Sequence, residues 1–135
     1  MAGLRICTYN SHGSGASRLE YVKYLCCHHD LVFIQEHWLR NCEIHKYVDY
    51  IDYIDVHGSS SMADNELLVG RPHGGTAILW RKSLGFKVIP IDVNSNRLCA
   101  VRLTGDDIDI LMFCVYMPCD TEYVLNKIVL NIMRF

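Results

Sequence analysis

A short, uninterrupted apolar run, Leu-Val-Phe-Ile at residues 31–34, limits the folds that are open to this chain. The run changes abruptly to the polar sequence Gln35-Glu36-His37. Continuous apolar segments of this length, bounded by polar residues, are typical of β-strands that are buried on both faces. The run therefore predicts a strand inside a layered structure, with Glu36 just beyond its carboxyl end.

Several other segments have the composition or the alternating pattern of β-strands. They are residues 4–9, 50–56, 76–80, 86–93, 98–103 and 108–116. The Gly-Ser-Ser-Ser sequence at 58–61 is expected to end the strand at 50–56. The Gly-Asp-Asp sequence at 105–107 predicts that the last two strands form a hairpin.

Helical patterns lie between and after these strands. Ser17 is predicted to be the N-cap of a first helix, with Glu20 three residues later and apolar side chains at helical spacing, namely Leu19, Val22, Leu25 and Cys26. A short helix is expected at residues 43–47, and a longer one with a wide apolar stripe is expected after Asp120 or Thr121. Helices among many strands predict a two-sheet α/β sandwich with helices on the outside.

Composition and charge exclude several classes of protein. Half of the 135 residues are hydrophobic and 21% are charged, which is typical of a folded soluble domain. The formal net charge of −2 lacks the basic excess of proteins that bind nucleic acid mainly by neutralising phosphates. Neither a membrane anchor nor a leader segment is recognisable, so an intracellular protein is expected.

The cysteines predict reduced thiols rather than disulfides or a metal cluster. There are seven of them, an odd number, and most lie inside apolar runs. The sequence Cys26-Cys27-His28-His29 resembles a zinc motif in composition only. Because consecutive helical residues point about 100 degrees apart, these side chains do not readily converge on one tetrahedral ion.

Glu36 is the first candidate for chemistry, because a carboxylate at the end of a buried strand lies where sheets commonly present ligands. The sequence also permits a simpler interpretation, in which Glu36 is only the first solvated residue of a loop. Asn10 follows the strand predicted at 4–9, so two strand ends could bring an amide and a carboxylate together. Mg²⁺ is commonly held by one or two carboxylates and several waters, which such a pair would suit.

Four short motifs occur in a fixed order along the chain: Thr8-Tyr-Asn10, Ile34-Gln-Glu36, Gly74-Gly-Thr-Ala-Ile-Leu79 and Val115-Tyr-Met-Pro118. Their order and approximate spacing are similar to those of the endonuclease/exonuclease/phosphatase superfamily. Longer segments resemble the endonuclease domains of non-LTR retrotransposons: Tyr9-Asn-Ser-His-Gly13, Gln35-Glu-His-Trp-Leu39, Gly70-Arg-Pro-His-Gly-Gly75, Ile78-Leu-Trp-Arg-Lys-Ser83 and Tyr116-Met-Pro-Cys-Asp120. The resemblance covers nearly the whole chain and implies a DNase-like fold.

The resemblance implies roles for particular residues. Glu36 would be the metal ligand, Asn10 would hydrogen-bond near the metal and the scissile phosphate, and could itself be a weaker ligand, and Tyr116 would contact that phosphate. The implied cofactor is Mg²⁺, with Mn²⁺ as a substitute, and the implied substrate is duplex DNA, nicked to prime a reverse transcriptase of the same element in the nucleus. The Gly74-Gly75 pair would allow a tight backbone approach.

Several other residues can be interpreted in two ways from the sequence alone. Tyr116 could mark only a strand end before Pro118. Four basic residues could touch a DNA backbone or form an ordinary solvated face, and the second is favoured: Arg71, His73, Arg81 and Lys82. His12 and His37 could titrate near neutrality, but the sequence identifies no partner for either.

The later catalytic segments of this superfamily, an Asp-x-Asn pair and a Ser-Asp-His sequence, do not follow Tyr116. The terminal helical pattern is still apolar at Phe135, without a stop signal. Residues 1–135 are therefore expected to be the N-terminal portion of a single domain, incomplete at its C-terminus, with little phosphodiesterase activity alone. The alternatives are a phosphoesterase acting on inositol phosphates or sphingolipid, and a degenerate fragment without catalysis.

Overall fold

In a computed structural model, which describes residues 3–65, 67 and 70–117, the chain folds into two β-sheets and two α-helices. The elements in chain order are β1 (Ile6–Asn10), α1 (Ala16–His28), β2 (Leu31–Gln35), a 3-10 turn (Asn41–Glu43), α2 (Lys46–Tyr50), β3 (Ile54–Ser59), β4 (Thr76–Arg81), β5 (Lys87–Ile91), β6 (Leu98–Thr104) and β7 (Asp109–Val115). One sheet has the order β1-β2-β4-β3 and the other has the order β5-β6-β7. The predicted α/β sandwich is confirmed.

Strand β2 lies in the interior of the first sheet, with its side chains alternating between two cores. Val32 and Ile34 pack in one core with apolar residues of α1 and α2, whereas Leu31 packs in the other core with residues of β4, β6 and β7. All three are at most 1% exposed. The first sheet is thus covered by helices on one face and by the second sheet on the other, which confirms that β2 is buried on both faces.

Helix α1 begins earlier than predicted. Gly15 is the N-cap, and its carbonyl accepts the N–H groups of Arg18 and Leu19 at 2.9 and 3.0 Å. Ser17 therefore lies within the first turn, and its prediction as the N-cap is wrong. At the other end, the Arg81 guanidinium donates to the Cys26 carbonyl at 3.0 Å and also to the Cys27 carbonyl.

Two predicted element boundaries are also wrong. The helix expected at 43–47 is divided into the 3-10 turn and α2, and the strand expected at 50–56 begins later, at Ile54. Gly58 was expected to end this strand but pairs with Ala77 inside it. A Cβ at Gly58 would lie 2.9 Å from the Thr76 carbonyl oxygen, so the absence of a side chain allows the two strands to approach.

The second sheet is an antiparallel meander. The predicted hairpin between β6 and β7 is confirmed, with the Gly105 N–H donating to the Ile108 carbonyl at 2.9 Å. Pro90 lies in β5, an edge strand, where a missing N–H costs least. The helix predicted after Asp120 or Thr121 lies outside the described residues. Within the described part of the chain, no helix has the length and apolar character needed to cross a membrane.

Candidate functional site

The parallel pairing of β1 and β2 brings their carboxyl ends together. Asn10 is the register partner of Gln35, and the pairing continues beyond the strands. The Ser11 N–H donates to the Gln35 carbonyl at 2.9 Å, and the Gly13 N–H donates to the Glu36 carbonyl at 2.8 Å. The structure therefore places Asn10 and Glu36 side by side at one edge of the sandwich, as their positions after two strands predicted.

Glu36 is held in an uncommon backbone conformation by the Gly74-Gly75 pair. Its φ angle is +56°, in the left-handed region that non-glycine residues rarely adopt. The Glu36 N–H donates to the Gly75 carbonyl at 2.8 Å, and the Trp38 N–H donates to the Gly74 carbonyl at 3.0 Å. A Cβ at Gly75 would lie only 2.2 Å from His37 Cε1, so the tight backbone approach predicted for this pair is confirmed.

The non-glycine residues with positive φ in the described segments are His12, Glu36 and Trp38, with φ of +47°, +56° and +60°. The three lie together at this edge. Such conformations cost about 1–3 kcal/mol each and persist where surrounding contacts enforce them, most often at functional sites.

Two side chains hold the Glu36 carboxylate from different directions. The Tyr116 hydroxyl donates to Oε1 at 2.6 Å, and His12 Nδ1 lies 3.4 Å from Oε2. The Tyr116 hydrogen bond is the main reason that the pKa of Glu36 lies below its usual value; partial burial opposes it, and hydrogen bonds from His12 and Asn10 add to the lowering. Glu36 is therefore ionised at neutral pH and can act only as an acceptor or a ligand.

Tyr116 reaches this edge from the second sheet. It directly follows β7, and its N–H donates to the Arg97 carbonyl at 2.9 Å, which continues the pairing of β6 and β7. The hydroxyl thus meets a carboxylate carried by the first sheet. The structure brings together Asn10, Glu36 and Tyr116, the three site residues predicted from the sequence.

His12 is a fourth residue of the site, and no partner for it could be identified from the sequence. Its N–H donates to Asn10 Oδ1 at 3.2 Å, and its imidazole packs against the Trp38 indole with ring centroids 4.5 Å apart. The only local signal for this arrangement is the position of His12 two residues after Asn10, a spacing at which an Asn side chain commonly accepts a backbone N–H.

The possibility that His37 titrates near neutrality is wrong. Its side chain is fully buried, and burial lowers its pKa to about 4. The Leu39 N–H donates to Nδ1 at 2.9 Å, so the other ring nitrogen, Nε2, carries the proton and donates to the Ser59 carbonyl at 3.1 Å. His37 is therefore a neutral structural residue, whose hydrogen bonds hold the backbone just after Glu36 in place.

The four basic residues that the sequence singles out differ in their exposure. Arg71, His73 and Lys82 are exposed, as the favoured interpretation predicted. Arg81 is partly exposed, and its guanidinium is bonded to carbonyls at the end of α1. In the described residues no group of three or more His, Cys, Asp and Glu side chains could hold a metal ion. The Cys26-Cys27-His28-His29 segment is among the residues to which this applies.

The donors at the site nevertheless fit a hard cation that keeps much of its water. An ionised carboxylate has about four lone-pair positions, and the hydrogen bonds from Tyr116, His12 and Asn10 leave about one of them for a cation. Asn10 Oδ1 accepts one N–H and retains a second lone pair. One carboxylate and one amide oxygen, completed by water, match the ligands that Mg²⁺ prefers.

No protein-family model matches the chain, and no curated protein matches it in sequence. Solved structures do match it. The endonuclease domain of TRAS1, a telomere-specific non-LTR retrotransposon, superimposes with a TM-score of 0.66 at 16% identity, over 97% of this chain and 52% of that one. An AP endonuclease from Archaeoglobus fulgidus gives a TM-score of 0.56 at 20% identity, over 95% of this chain and 48% of its own.

A third similar structure is the 3′ phosphatase NExo from Neisseria bound to a product DNA hairpin, with a TM-score of 0.54 at 18% identity, over 94% of this chain and 48% of that one. The chain thus spans about half the length of the proteins it resembles. At these identities the comparisons show the fold, and they confirm the predicted similarity at that level. The chain has the two-sheet α/β fold that these nucleases and this phosphatase share.

Proposed function

We propose that this chain carries one half of a divalent-metal-dependent phosphodiesterase site, and that the complete domain is a DNA-nicking endonuclease of a retroelement. The observation that carries the proposal is the meeting of Asn10, Glu36 and Tyr116 from three different strand ends around one ionised carboxylate. The fold shared with nucleases and a phosphatase supports it, and similarity to the TRAS1 endonuclease domain favours a retroelement.

Glu36 and Asn10 are the residues that would hold Mg²⁺, or Mn²⁺ in its place. The bound cation would supply positive charge to offset the charge that develops on a phosphate under attack. The lowered pKa of Glu36 and the hydrogen bond from Tyr116, which holds the carboxylate, support this role. The Tyr116 phenol is a donor at the same edge and would turn to a phosphate oxygen when substrate is present.

The chain on its own is proposed to bind a cation but to hydrolyse phosphodiesters poorly. Hydrolysis requires a positioned water and a base that accepts its proton in addition to charge compensation. After Tyr116 the sequence contains neither an Asp-x-Asn pair nor a Ser-Asp-His sequence. Those groups would have to come from residues beyond this chain.

Duplex DNA is the proposed substrate, and a reverse transcriptase of the same element is the proposed partner, working in the nucleus. The net charge of −2 indicates that DNA affinity would not rest on a basic surface of this chain. DNA contacts are therefore proposed to concentrate at the cation and the scissile phosphate.

The first test is calorimetric titration of the chain with Mn²⁺. Glu36→Gln is expected to weaken binding at least tenfold, because it removes the ligand charge while keeping the size of the side chain. Glu20→Gln is the matched control, since the Glu20 carboxylate also accepts a tyrosine hydroxyl, that of Tyr50, but lies on α1. Equal affinities for the wild-type chain and Glu36→Gln would refute the proposed metal site.

The second test is a nicking assay on supercoiled plasmid with Mg²⁺. The chain alone is expected to leave the plasmid largely intact, whereas a longer protein that also contains the missing segments is expected to nick it. Robust nicking by the 135-residue chain that is lost in Glu36→Ala would overturn the proposed incompleteness. Hydrolysis of inositol phosphates or sphingomyelin in preference to plasmid would overturn the proposed substrate.

A further inference from the structure

His12 contacts the candidate metal ligand without being one of the predicted site residues. Its side chain is 62% exposed, whereas that of Glu36 is 19% exposed. A contact of 3.4 Å from an exposed side chain would contribute little if the imidazole were free to rotate. The contact is therefore significant only if other groups restrain the His12 imidazole.

Trp38 provides the restraint on one face of the imidazole. The two ring centroids are 4.5 Å apart and the ring planes are inclined by 60°. Gly13 lies behind the indole, where a Cβ would be 3.1 Å from Trp38 Cε3. The absence of a side chain at Gly13 thus leaves the room in which Trp38 packs.

The backbone restrains the same group from the other side. The His12 N–H is bonded to Asn10 Oδ1, and the next N–H, that of Gly13, is bonded to the Glu36 carbonyl. His12 and Trp38 both have positive φ, at +47° and +60°, so both side chains leave the backbone in directions that an ordinary turn would not provide. Two strained backbone positions together bring the imidazole to the carboxylate.

The chemistry of the contact sets the position of the imidazole proton. An ionised carboxylate only accepts hydrogen bonds, so Nδ1 must carry the proton that lies between His12 and Glu36. In the neutral imidazole the second nitrogen, Nε2, is then unprotonated. This arrangement fixes the tautomer as well as the ring orientation.

We propose that His12 is a positioning residue, whose imidazole is clamped by Trp38 and donates from Nδ1 to Glu36 Oε2 so that the carboxylate is oriented for a cation. Tyr116 fixes the other oxygen of the same carboxylate. With both oxygens held, the carboxylate plane cannot rotate freely, and less conformational entropy is lost when the cation binds. The proposal rests on the proposed metal site, which it extends to a residue that acts through Glu36.

The first experiment needs no metal. Long-range ¹H–¹⁵N correlation spectra at about pH 8.5, well above the pKa of free histidine, report which imidazole nitrogen carries the proton. His12 is expected in the Nδ1–H form. Two residues of the same chain provide references: His29, whose Nδ1 lies 2.9 Å from the Leu25 carbonyl, for the Nδ1–H form, and His37 for the Nε2–H form.

In Glu36→Ala the acceptor for Nδ1–H is gone, and His12 is expected to change to the Nε2–H form while His29 and His37 keep their patterns. A wild-type His12 in the Nε2–H form, or a His12 pattern that is unchanged in Glu36→Ala, would overturn the proposal. The wild-type spectrum decides the first point even if the variant does not fold.

The second experiment measures Mn²⁺ affinity in variants that tolerate the left-handed backbone at position 12. Gly and Asn both adopt positive φ readily, so His12→Gly and His12→Asn differ mainly in the side-chain donor. His12→Gly is expected to weaken Mn²⁺ binding about tenfold, as is typical when a partner of a metal ligand is removed. His12→Asn is expected to remain within about threefold of wild type, because its amide N–H can replace Nδ1–H.

Trp38 is tested by Trp38→Asn, which accepts positive φ but removes the ring, and by Trp38→Phe, which keeps an aromatic face. The first is expected to behave like His12→Gly and the second to remain near wild type. A matched control is His28→Asn, because His28 packs against Tyr24 on α1 with the same 4.5 Å centroid distance and an inclination of 62°, away from Glu36. This control is expected to bind Mn²⁺ as the wild-type chain does.

The outcomes separate this proposal from the proposed function. If Glu36→Gln weakens Mn²⁺ binding but His12→Gly does not, the positioning role is refuted and the metal site stands. If His12→Asn binds as weakly as His12→Gly, the side-chain donor is not what matters, and the proposal is refuted as well. If Glu36→Gln binds Mn²⁺ as wild type does, the metal site is refuted. The proposal that the His12 contact orients Glu36 for a cation is then refuted too. The tautomer experiment still decides whether the contact between His12 and Glu36 exists.

Discussion

Tyr116 and Glu36 are 80 residues apart in the chain, yet the Tyr116 hydroxyl donates a hydrogen bond of 2.6 Å to Glu36 Oε1. Each residue comes from a different sheet. The bond therefore ties the second sheet to the strand end that carries the candidate metal ligand, and it influences both the charge of the site and the stability of the sandwich.

Tyr116→Phe is expected to raise the pKa of Glu36 toward its ordinary value, because it removes the main hydrogen bond that lowers this pKa. Because this pKa is lower in the folded protein than in the unfolded chain, ionised Glu36 stabilises the fold at neutral pH, and the effect is lost as the pH falls through the folded-state pKa. The variant should lose about 1 kcal/mol of unfolding free energy at pH 7 and less than that below about pH 4.

The pKa change is measured by NMR titration of the Glu36 carboxyl carbon, and the stability change by urea unfolding at several pH values. Tyr50→Phe is the control, since Tyr50 donates to the exposed carboxylate of Glu20 on α1. A Glu36 pKa that is the same in Tyr116→Phe and Tyr50→Phe would contradict the role assigned to the Tyr116 hydroxyl.

Burial of the neutral His37 imidazole is expected to make the unfolding free energy depend on pH in mild acid. Burial lowers its pKa in the folded protein to about 4, from the ordinary imidazole value of 6.5. Between these values the unfolded chain binds a proton that the folded protein does not, so the unfolding free energy falls as the pH is lowered from about 6.5 to about 4, by up to about 3 kcal/mol. Chemical denaturation at pH 7 and pH 5 measures this loss.

A His37→Gln variant should have lower stability at pH 7 and a shallower dependence on pH in this range, because the titrating group is absent. His28→Asn, which changes an exposed imidazole, should keep the wild-type dependence. If His37→Gln and the wild-type chain had the same pH dependence, His37 would not be the buried neutral group described above.

Gly75→Ala is expected to destabilise the chain by at least about 3 kcal/mol. Its φ is +97°, and the new Cβ would lie 2.2 Å from His37 Cε1, so both the backbone conformation and the packing oppose the substitution. Gly85→Ala is the matched control, because a Cβ there has no heavy atom within 4 Å in its surroundings. Thermal unfolding of the two variants checks the prediction, which a small and equal change in both would contradict.

Alkylation of native protein tests the core assignment of the cysteines. Cys27 and Cys42 are exposed, whereas Cys26, Cys99 and Cys114 are buried. Burial also raises the pKa of Cys26 to about 12, which leaves almost no reactive thiolate at neutral pH. Among the six cysteines in the described part of the chain, mass spectrometry after brief iodoacetamide treatment should find label at Cys27 and Cys42 first. Equal labelling of Cys26 and its neighbour Cys27 would contradict the packing of α1 on the first sheet.

Local patterns in the sequence predicted those parts of the fold whose signals lie within a few consecutive residues. The apolar run at 31–34 identified β2, helical spacing identified α1, and a Gly-Asp-Asp turn identified the hairpin of β6 and β7. The boundaries that were wrong depend on contacts with other elements. Gly58 remains in β3 because the Thr76 backbone approaches it closely, and no local pattern reports such an approach.

The candidate site also has one part that local sequence patterns predict and one part that depends on long-range contacts. That Asn10 and Glu36 each follow a strand could be deduced from the sequence, and the family resemblance added Tyr116 to them. Whether these strand ends meet is determined by the parallel register of β1 and β2 and by the packing of two sheets, both of which join residues far apart in the chain.

The sequence alone therefore determined that Glu36 directly follows a buried strand, because burial on both faces requires a continuous apolar run and leaves a visible boundary. Only the tertiary structure decided what surrounds Glu36. Long-range contacts hold the groups around it, namely the His12 imidazole against Trp38, the buried neutral His37 and the Tyr116 hydroxyl. Their geometry depends on sheet pairing and core packing, and no short segment of sequence encodes either.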